Sequence, residues 1–149
     1  GFLKLMLKLQ QERLVLAIGA VAAAEYMLEI TLRYCRERTV FGKPVSSYQA
    51  NTFRIVEMAT EVELGRAFLD GLLEDHLAGK EIVKKVSMAK AWICEMANRV
   101  AYGCLQLHGG YGYMEEYPIA RIFRDARVQT IFAGTSEVMK LIISRYMNL

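Results

Sequence analysis

Apolar residues recur every three or four positions along most of this chain, the spacing that lines one face of an α-helix. Leu14, Ala17, Val21, Ala24, Leu28 and Cys35 keep that period or its multiples and predict a helix over 10–36. Ile55, Met58, Val62, Gly65, Leu69 and Leu72 predict a second over 46–78. Val86, Ala89, Ile93, Ala97, Val100 and Cys104 predict a third over 81–107. A shorter helix fits 136–146, with Glu137 near its start and Arg145 near its end, as the helix dipole favours.

The breaks are short. One spans 37–45 and another 78–80, where Gly79 is the expected C-cap. Pro44 and Pro118, the two prolines, both fall in breaks. Residues 109–133 carry glycine, tyrosine and charge without a clear period, and predict a structured loop with one short helix near 120–126. No strand alternation stands out. Long helices with short links describe an all-α, up-down bundle of four antiparallel helices in one domain.

Composition narrows the class. With 149 residues and 54% hydrophobic content the chain can bury a core, which excludes disorder. Charges are expected to interrupt its apolar stretches short of the ~18–20 residues of a membrane span. The net charge of +3 is spread without a Lys/Arg run, so no nucleic-acid partner is expected. Cys35, Cys94 and Cys104 are odd in number and form no C-x-x-C pair, which reads as reduced thiols in a reducing compartment. The chain begins at Gly1 with no leader, which suggests a fragment or a processed chain.

Candidate chemistry begins with what is missing. The only histidines are His76 and His108, and Leu73 and Leu105 stand three residues before them, so the Glu-x-x-His pairs of a di-iron bundle are absent. No zinc spacing occurs, and no metal is expected. The loop Leu107-His108-Gly109-Gly110-Tyr111-Gly112 follows a helix, so the dinucleotide fingerprint does not apply; its glycines suit either close approach to a ligand or a helix cap and turn. Arg38 and Phe41 in the first link suit a phosphate and a ring, or simply a charged helix end. Thr135, Ser136 and Glu137 read as a helix N-cap, which is also an anion site. Glu12 is an acid at a helix start, and His108 a ligand, a base or a satisfied structural histidine. Tyr102, Tyr111, Tyr113 and Tyr117 read as packing.

Four ordered motifs change the weights. They are Arg38-Thr39-Val40-Phe41-Gly42-Lys43 followed by Gln49, then Gln106-Leu107-His108-Gly109-Gly110-Tyr111-Gly112, Glu116-Tyr117-Pro118-Ile119, and Arg124-Asp125-Ala126-Arg127 leading to Gly134-Thr135-Ser136-Glu137. Over its whole length the chain resembles the C-terminal helical domain of the acyl-CoA dehydrogenases. The resemblance implies two further domains upstream, one helical and one β, and implies that residues 1–149 alone are not an active enzyme. It implies an FAD-dependent α,β-dehydrogenation of an acyl-CoA thioester, in which a carboxylate takes the α-proton and the β-hydride passes to flavin.

One departure selects the base. Many members carry a glutamate just before the Gly-Thr of the last motif, where this chain has Ala133. The branch resembling the long-chain and isovaleryl-CoA enzymes carries it on the first helix, and Glu12 falls on that position. The resemblance then implies that Gln10, Gln11 and Arg13 border the substrate, with Ala133 and Gly134 lining it. It implies FAD contacts from Arg38 at the pyrophosphate, Phe41 beside the cofactor, and Gln49, Gln106, Gly109 and Gly110 on the dinucleotide, several across a subunit interface. Thr135, Ser136 and Glu137 would lie near FAD, with Glu137 at ribose or adenine. Val40 stands where some members have a hydroxyl, so that bond to FAD is lost. The implied partners are the acyl-CoA, electron-transfer flavoprotein as acceptor, and further copies of the chain as a dimer of dimers. The implied compartment is bacterial cytoplasm or mitochondrial matrix. Two alternatives stay open: an isolated bundle serving assembly and half a cofactor site, and a related acyl-CoA oxidase.

Overall fold

The structure, a computed structural model, describes residues 2–149, with side chains from Lys8 onward; Gly1, where the sequence starts, lies outside the described residues. The expected all-α architecture is present. Three long helices, α1 (Phe2–Glu37), α2 (Gln49–Leu77) and α3 (Val83–His108), pack with two eleven-residue helices, α4 (Pro118–Val128) and α5 (Ser136–Tyr146). All eighteen residues that carry the three-to-four periodicity of the long helices are buried.

Directions follow from the contacts. Arg66 pairs with Glu25 and Arg99 with Glu61, so α2 runs against both neighbours. The side chain of Tyr34 stacks on His108, and Arg13 and Lys90 reach adjacent residues, so α1 and α3 run the same way. α5 lies along α3 in the opposite sense: Ser136 meets Glu95, while Ile143 lies near Met88. The close approach of α2 to its neighbours uses Gly65, where a Cβ would stand 3.0 Å from Met96 Cε.

Several boundaries differ from expectation. α1 begins eight residues earlier, because no proline or glycine stops the helix between residues 2 and 10. α2 begins at Gln49, not at 46, because Val45–Ser47 forms a single 3-10 turn in which Ser47 Oγ donates to Pro44 O. α3 starts at Val83 and ends at His108. The expected short helix extends to Pro118–Val128, with Pro118 at its first turn, where its missing N–H costs nothing. An unexpected hairpin pairs β1 (Thr39–Val40) with β2 (Lys43–Pro44). Strands of two residues are too short to show alternation.

α2 ends as the sequence predicts. Gly79 takes φ +70°, and the N–H groups of Gly79 and Lys80 return to the carbonyls of His76 and Asp75. Residues 8–37 of α1 are long and apolar enough to cross a membrane by length and composition, contrary to the expectation that charges interrupt every such stretch. Its apolar side is the bundle core: Ala17, Ala20, Val21, Ala24 and Met27 have no exposed surface.

Asp75 at the α2–α3 corner pairs with Lys80 and Lys85, which hold its carboxyl down at about 2. A depressed carboxyl stabilises the fold above its unfolded value and loses that contribution as pH falls through the folded one. Asp75→Asn is therefore expected to flatten the fall in urea midpoint between pH 3.8 and about 2. An unchanged acid slope would count against the pair.

Candidate functional site

Two clefts hold seven of the fifteen candidate site residues singled out in the sequence; Gln10, Arg13 and Gly134 line neither. The first lies where the start of α1 meets the turn before α5. Glu12, Gln11, Val15, Leu16, Phe132, Ala133 and Lys8 line an open cavity of about 620 Å³, a volume in the range of small-molecule sites. Glu12 and Ala133, 121 positions apart in the sequence, thus share one wall system. Glu12 itself is exposed, and apolar Val15, Leu16 and Phe132 flank it.

Next to Glu12 the helix turns Arg13 inward, and only 4% of Arg13 is exposed. Arg13 Nε donates to Ala133 O at 3.2 Å. Burial pulls the guanidinium below its ordinary value, and Glu12 opposes the shift. Arg13 Nη1 and Gln10 Oε1 are buried and find no partner among the described residues. Lys90 on α3 reaches the same turn and donates Nζ to Gly134 O at 2.6 Å. It is fully buried, and burial lowers its ammonium below the usual lysine range. The turn is strained, with Ala133 at φ +54° and Gly134 at φ +102°. For alanine the left-handed region costs about 1–2 kcal/mol.

Lys90 escaped the sequence reading. Its signal was a lysine in the apolar register of α3, four residues after Val86 and four before Cys94.

The second cleft, about 630 Å³, lies at the far end of α1 and α3 and brings together Arg38, Gln106, Gly109 and Gly110 with Tyr34, Val40 and Tyr111. The guanidinium of Arg38 sits 4.9 Å over the Tyr111 ring. Gly109 holds φ +60°, ψ −142°, a conformation close to the region reserved for glycine. A Cβ on Gly109 or Gly110 would meet nothing within 4 Å, so the space above them is open. His108 is a satisfied structural residue: Nδ1 donates to Cys104 O at 2.8 Å and the ring stacks on Tyr34 at 4.3 Å. Burial lowers its imidazole and favours the neutral form. Of the four tyrosines expected to pack, Tyr111 and Tyr117 do so against each other, but Tyr113 and Tyr102 are exposed.

Phe41 and Gln49 do not line this cleft. Phe41 is the tip of the β1–β2 hairpin, 99% exposed and at φ +50°, beside Gly42 at φ +84°. Two successive positive φ values make the tight primed turn that two-residue hairpins require. Gln49 is exposed at the first turn of α2. Thr135, Ser136 and Glu137 form a third group, in a smaller cleft with Glu95, Tyr102 and Arg127. Thr135 caps α5 by accepting from Val138 N at 3.3 Å. Its own backbone N–H and Thr135 hold the Glu137 carboxyl below its ordinary value.

An apolar groove between α2, α3 and α5, lined by Leu64, Phe68, Met88, Trp92 and Ile143, has a similar volume. None of the residues singled out in the sequence lines it. Among the described residues no group of three or more His, Cys, Asp or Glu could hold a metal ion. All three cysteines are buried and unpaired.

Comparison with known proteins agrees with this layout. The family model for the acyl-CoA dehydrogenase C-terminal domain matches residues 1–148. The mitochondrial long-chain specific acyl-CoA dehydrogenase of Sus scrofa is 48% identical over 145 residues, 97% of this chain and 34% of that protein. The crystal structure of an acyl-CoA dehydrogenase from Geobacillus kaustophilus is 60% identical with a TM-score of 0.98, over all of this chain and 39% of the other. A structure of PigA with FAD and proline is 28% identical with a TM-score of 0.90, over 95% of this chain and 37% of the other. The chain spans about a third of the length of the curated relatives it matches. With its motifs, its helical layout and these likenesses in agreement, the chain belongs to the acyl-CoA dehydrogenase family, as the C-terminal domain.

Proposed function

We propose that the chain is the C-terminal part of an FAD-dependent acyl-CoA dehydrogenase in which Glu12 takes the α-proton of the thioester. The observation that carries this reading is the shared cavity of Glu12 and Ala133. The family places its glutamate at either position, and here the two positions face one space. Ala133 cannot accept a proton, so Glu12 is the carboxylate available to it.

The chemistry asks for a base held against a weakly acidic C–H and kept from water. Val15, Leu16 and Phe132 give Glu12 an apolar flank beside Gln11 and Ala133; in this reading the acyl-CoA would border Gln10, Gln11 and Arg13 and run along Ala133 and Gly134. Gln10 Oε1 and Arg13 Nη1, beside Glu12, are buried with no hydrogen-bond partner among the described residues.

The Arg38 cleft fits FAD. A cation stands at its mouth, and Gly109 and Gly110 present uncovered backbone beside Gln106. Arg38 would hold the pyrophosphate, with Gln49, Gln106 and the two glycines on the dinucleotide. FAD, when bound, supplies the acceptor for the β-hydride. Thr135, Ser136 and Glu137 would meet an FAD from their own cleft, with Glu137 at ribose or adenine because a carboxylate repels phosphate. The full protein would add helical and β domains upstream, assemble as a dimer of dimers, and pass electrons to electron-transfer flavoprotein in bacterial cytoplasm or mitochondrial matrix. A narrower second reading is that the chain by itself supplies half-sites, since among the described residues the Glu12 cavity stays open.

The test uses the full-length protein with FAD, a panel of acyl-CoAs and no oxygen. Bleaching of the flavin absorbance by at least one of them is expected. Retained FAD with no bleaching across the panel would overturn the reading. Oxygen consumption by the reduced protein would mark an oxidase.

Phe41 offers a separate check. An exposed aromatic side chain in a left-handed conformation gains nothing within the chain, so its use lies outside it. Phe41→Asn is expected to raise stability by up to about 1 kcal/mol, because asparagine tolerates this region. FAD retained after gel filtration should drop. Unchanged FAD content would remove Phe41 from the cofactor site.

A further inference from the structure

The turn that walls the Glu12 cavity is held by two buried cations. Arg13 Nε donates to Ala133 O at 3.2 Å, and Lys90 Nζ donates to Gly134 O at 2.6 Å. They come from the parallel helices α1 and α3 and grip consecutive carbonyls of consecutive residues with positive φ. Of the nearby backbone bonds, Phe132 N to Val128 O ends before the turn and Ser136 N to Thr130 O closes across it, but neither takes up the Ala133 or Gly134 carbonyl.

Stability alone does not account for Lys90. It has no exposed surface and forms none of the ion pairs among the described residues. A buried charge carries a desolvation cost, and a methionine of similar size would pack in its place without one. What a methionine could not supply is a charge-assisted bond to the carbonyl of half-buried Gly134, which no backbone N–H takes up among the described residues.

We propose that Lys90 is a positioning residue: with Arg13 it holds the Ala133–Gly134 turn in its left-handed form, so that Ala133 keeps its place opposite Glu12. The catalytic consequence rests on the reading of Glu12 as the base, but the clamp itself does not. Released from Lys90, the turn relaxes toward commoner backbone conformations and the wall of the cavity moves. A small displacement of a group that lines the reacting atoms lowers the chemical rate more than it lowers binding.

The test compares the full-length holoprotein with its Lys90→Met and Ile93→Val variants by amide hydrogen exchange and by flavin bleaching. In Lys90→Met the Phe132 and Ser136 amides are expected to exchange about tenfold faster or more, the loss of one charge-assisted bond. Amides of residues 97–104 in the same helix should keep their rates, and FAD content should hold. The bleaching rate at saturating acyl-CoA should fall about tenfold or more, with a smaller change in the half-saturating concentration. Ile93→Val trims the core one turn away, so it should lower the melting temperature without singling out the turn. Equal acceleration throughout α3, or none at the turn, overturns the clamp. A loosened turn with an unchanged bleaching rate overturns the positioning role. If Glu12→Gln bleaches like the parent, the base assignment fails by itself, and the exchange data still decide the clamp.

Discussion

Glu12→Gln in the full-length protein is expected to slow flavin bleaching by acyl-CoA about a hundred- to ten-thousandfold, the range for loss of a positioned general base. Glutamine matches the shape of glutamate, so the cavity with Gln11, Val15 and Phe132 stays intact while the proton acceptor is gone. FAD content should not change, because the Arg38 cleft lies at the other end of α1. The shared cavity adds a second expected result. Glu12→Ala combined with Ala133→Glu should recover part of the lost rate, since it moves the carboxylate across the same space. Ala133 already bears a Cβ at φ +54°, so glutamate adds little backbone strain there. Bleaching by Glu12→Gln at the parent rate would place the base elsewhere and break the link drawn between the two positions.

Gly112→Ala is expected to have the largest effect on stability, about 1–3 kcal/mol from overpacking. A Cβ at Gly112 would lie 2.6 Å from Leu105 O and 2.9 Å from His108 Cβ. The first is helix backbone and the second is fixed by the stacked, hydrogen-bonded His108 ring, so neither can rotate away. The 3-10 segment Gly109–Tyr113 must lift off α3 and carry Gly109, Gly110 and Tyr111 with it. Urea unfolding should show a lower midpoint, and FAD content should fall with it. Gly103→Ala makes the contrast. Its Cβ would run into Met58 Sδ, part of a flexible side chain that can move, so its cost should be smaller. Equal effects from the two substitutions would mean that the 3-10 segment is not pinned as described.

The long helices were legible because their buried positions repeat with one period, and Met58, Val62, Leu69, Ile93 and Val100 all lie in the core as that period requires. The ends were less legible. Val45–Ser47 and the Phe41–Gly42 hairpin depend on local hydrogen bonds and turn geometry, which a periodicity cannot show. The candidate site was legible through its motifs, not its spacing. Arg38 and Gly109 share a cleft although they lie on different segments, and so do Glu12 and Ala133. Lys90 was not legible because a lysine within a helix ordinarily points to water. Only the three-dimensional contact with Gly134 distinguishes it.

The parallel run of α1 and α3 has a further consequence. From Glu12 to Glu37 the helix rises about 38 Å, so the proposed proton acceptor and the Arg38 cleft stand at opposite poles of the bundle. That is farther than one dinucleotide reaches from its reacting ring to its pyrophosphate. Under the proposed assignment, the two poles of one chain serve different cofactors, and each cofactor is shared between chains. Mixed assemblies should then show complementation. A chain damaged only at Glu12 and one damaged only at Arg38, each inactive alone, would together form one intact centre and one doubly damaged centre. Genetics would read them as two separable functions on one polypeptide.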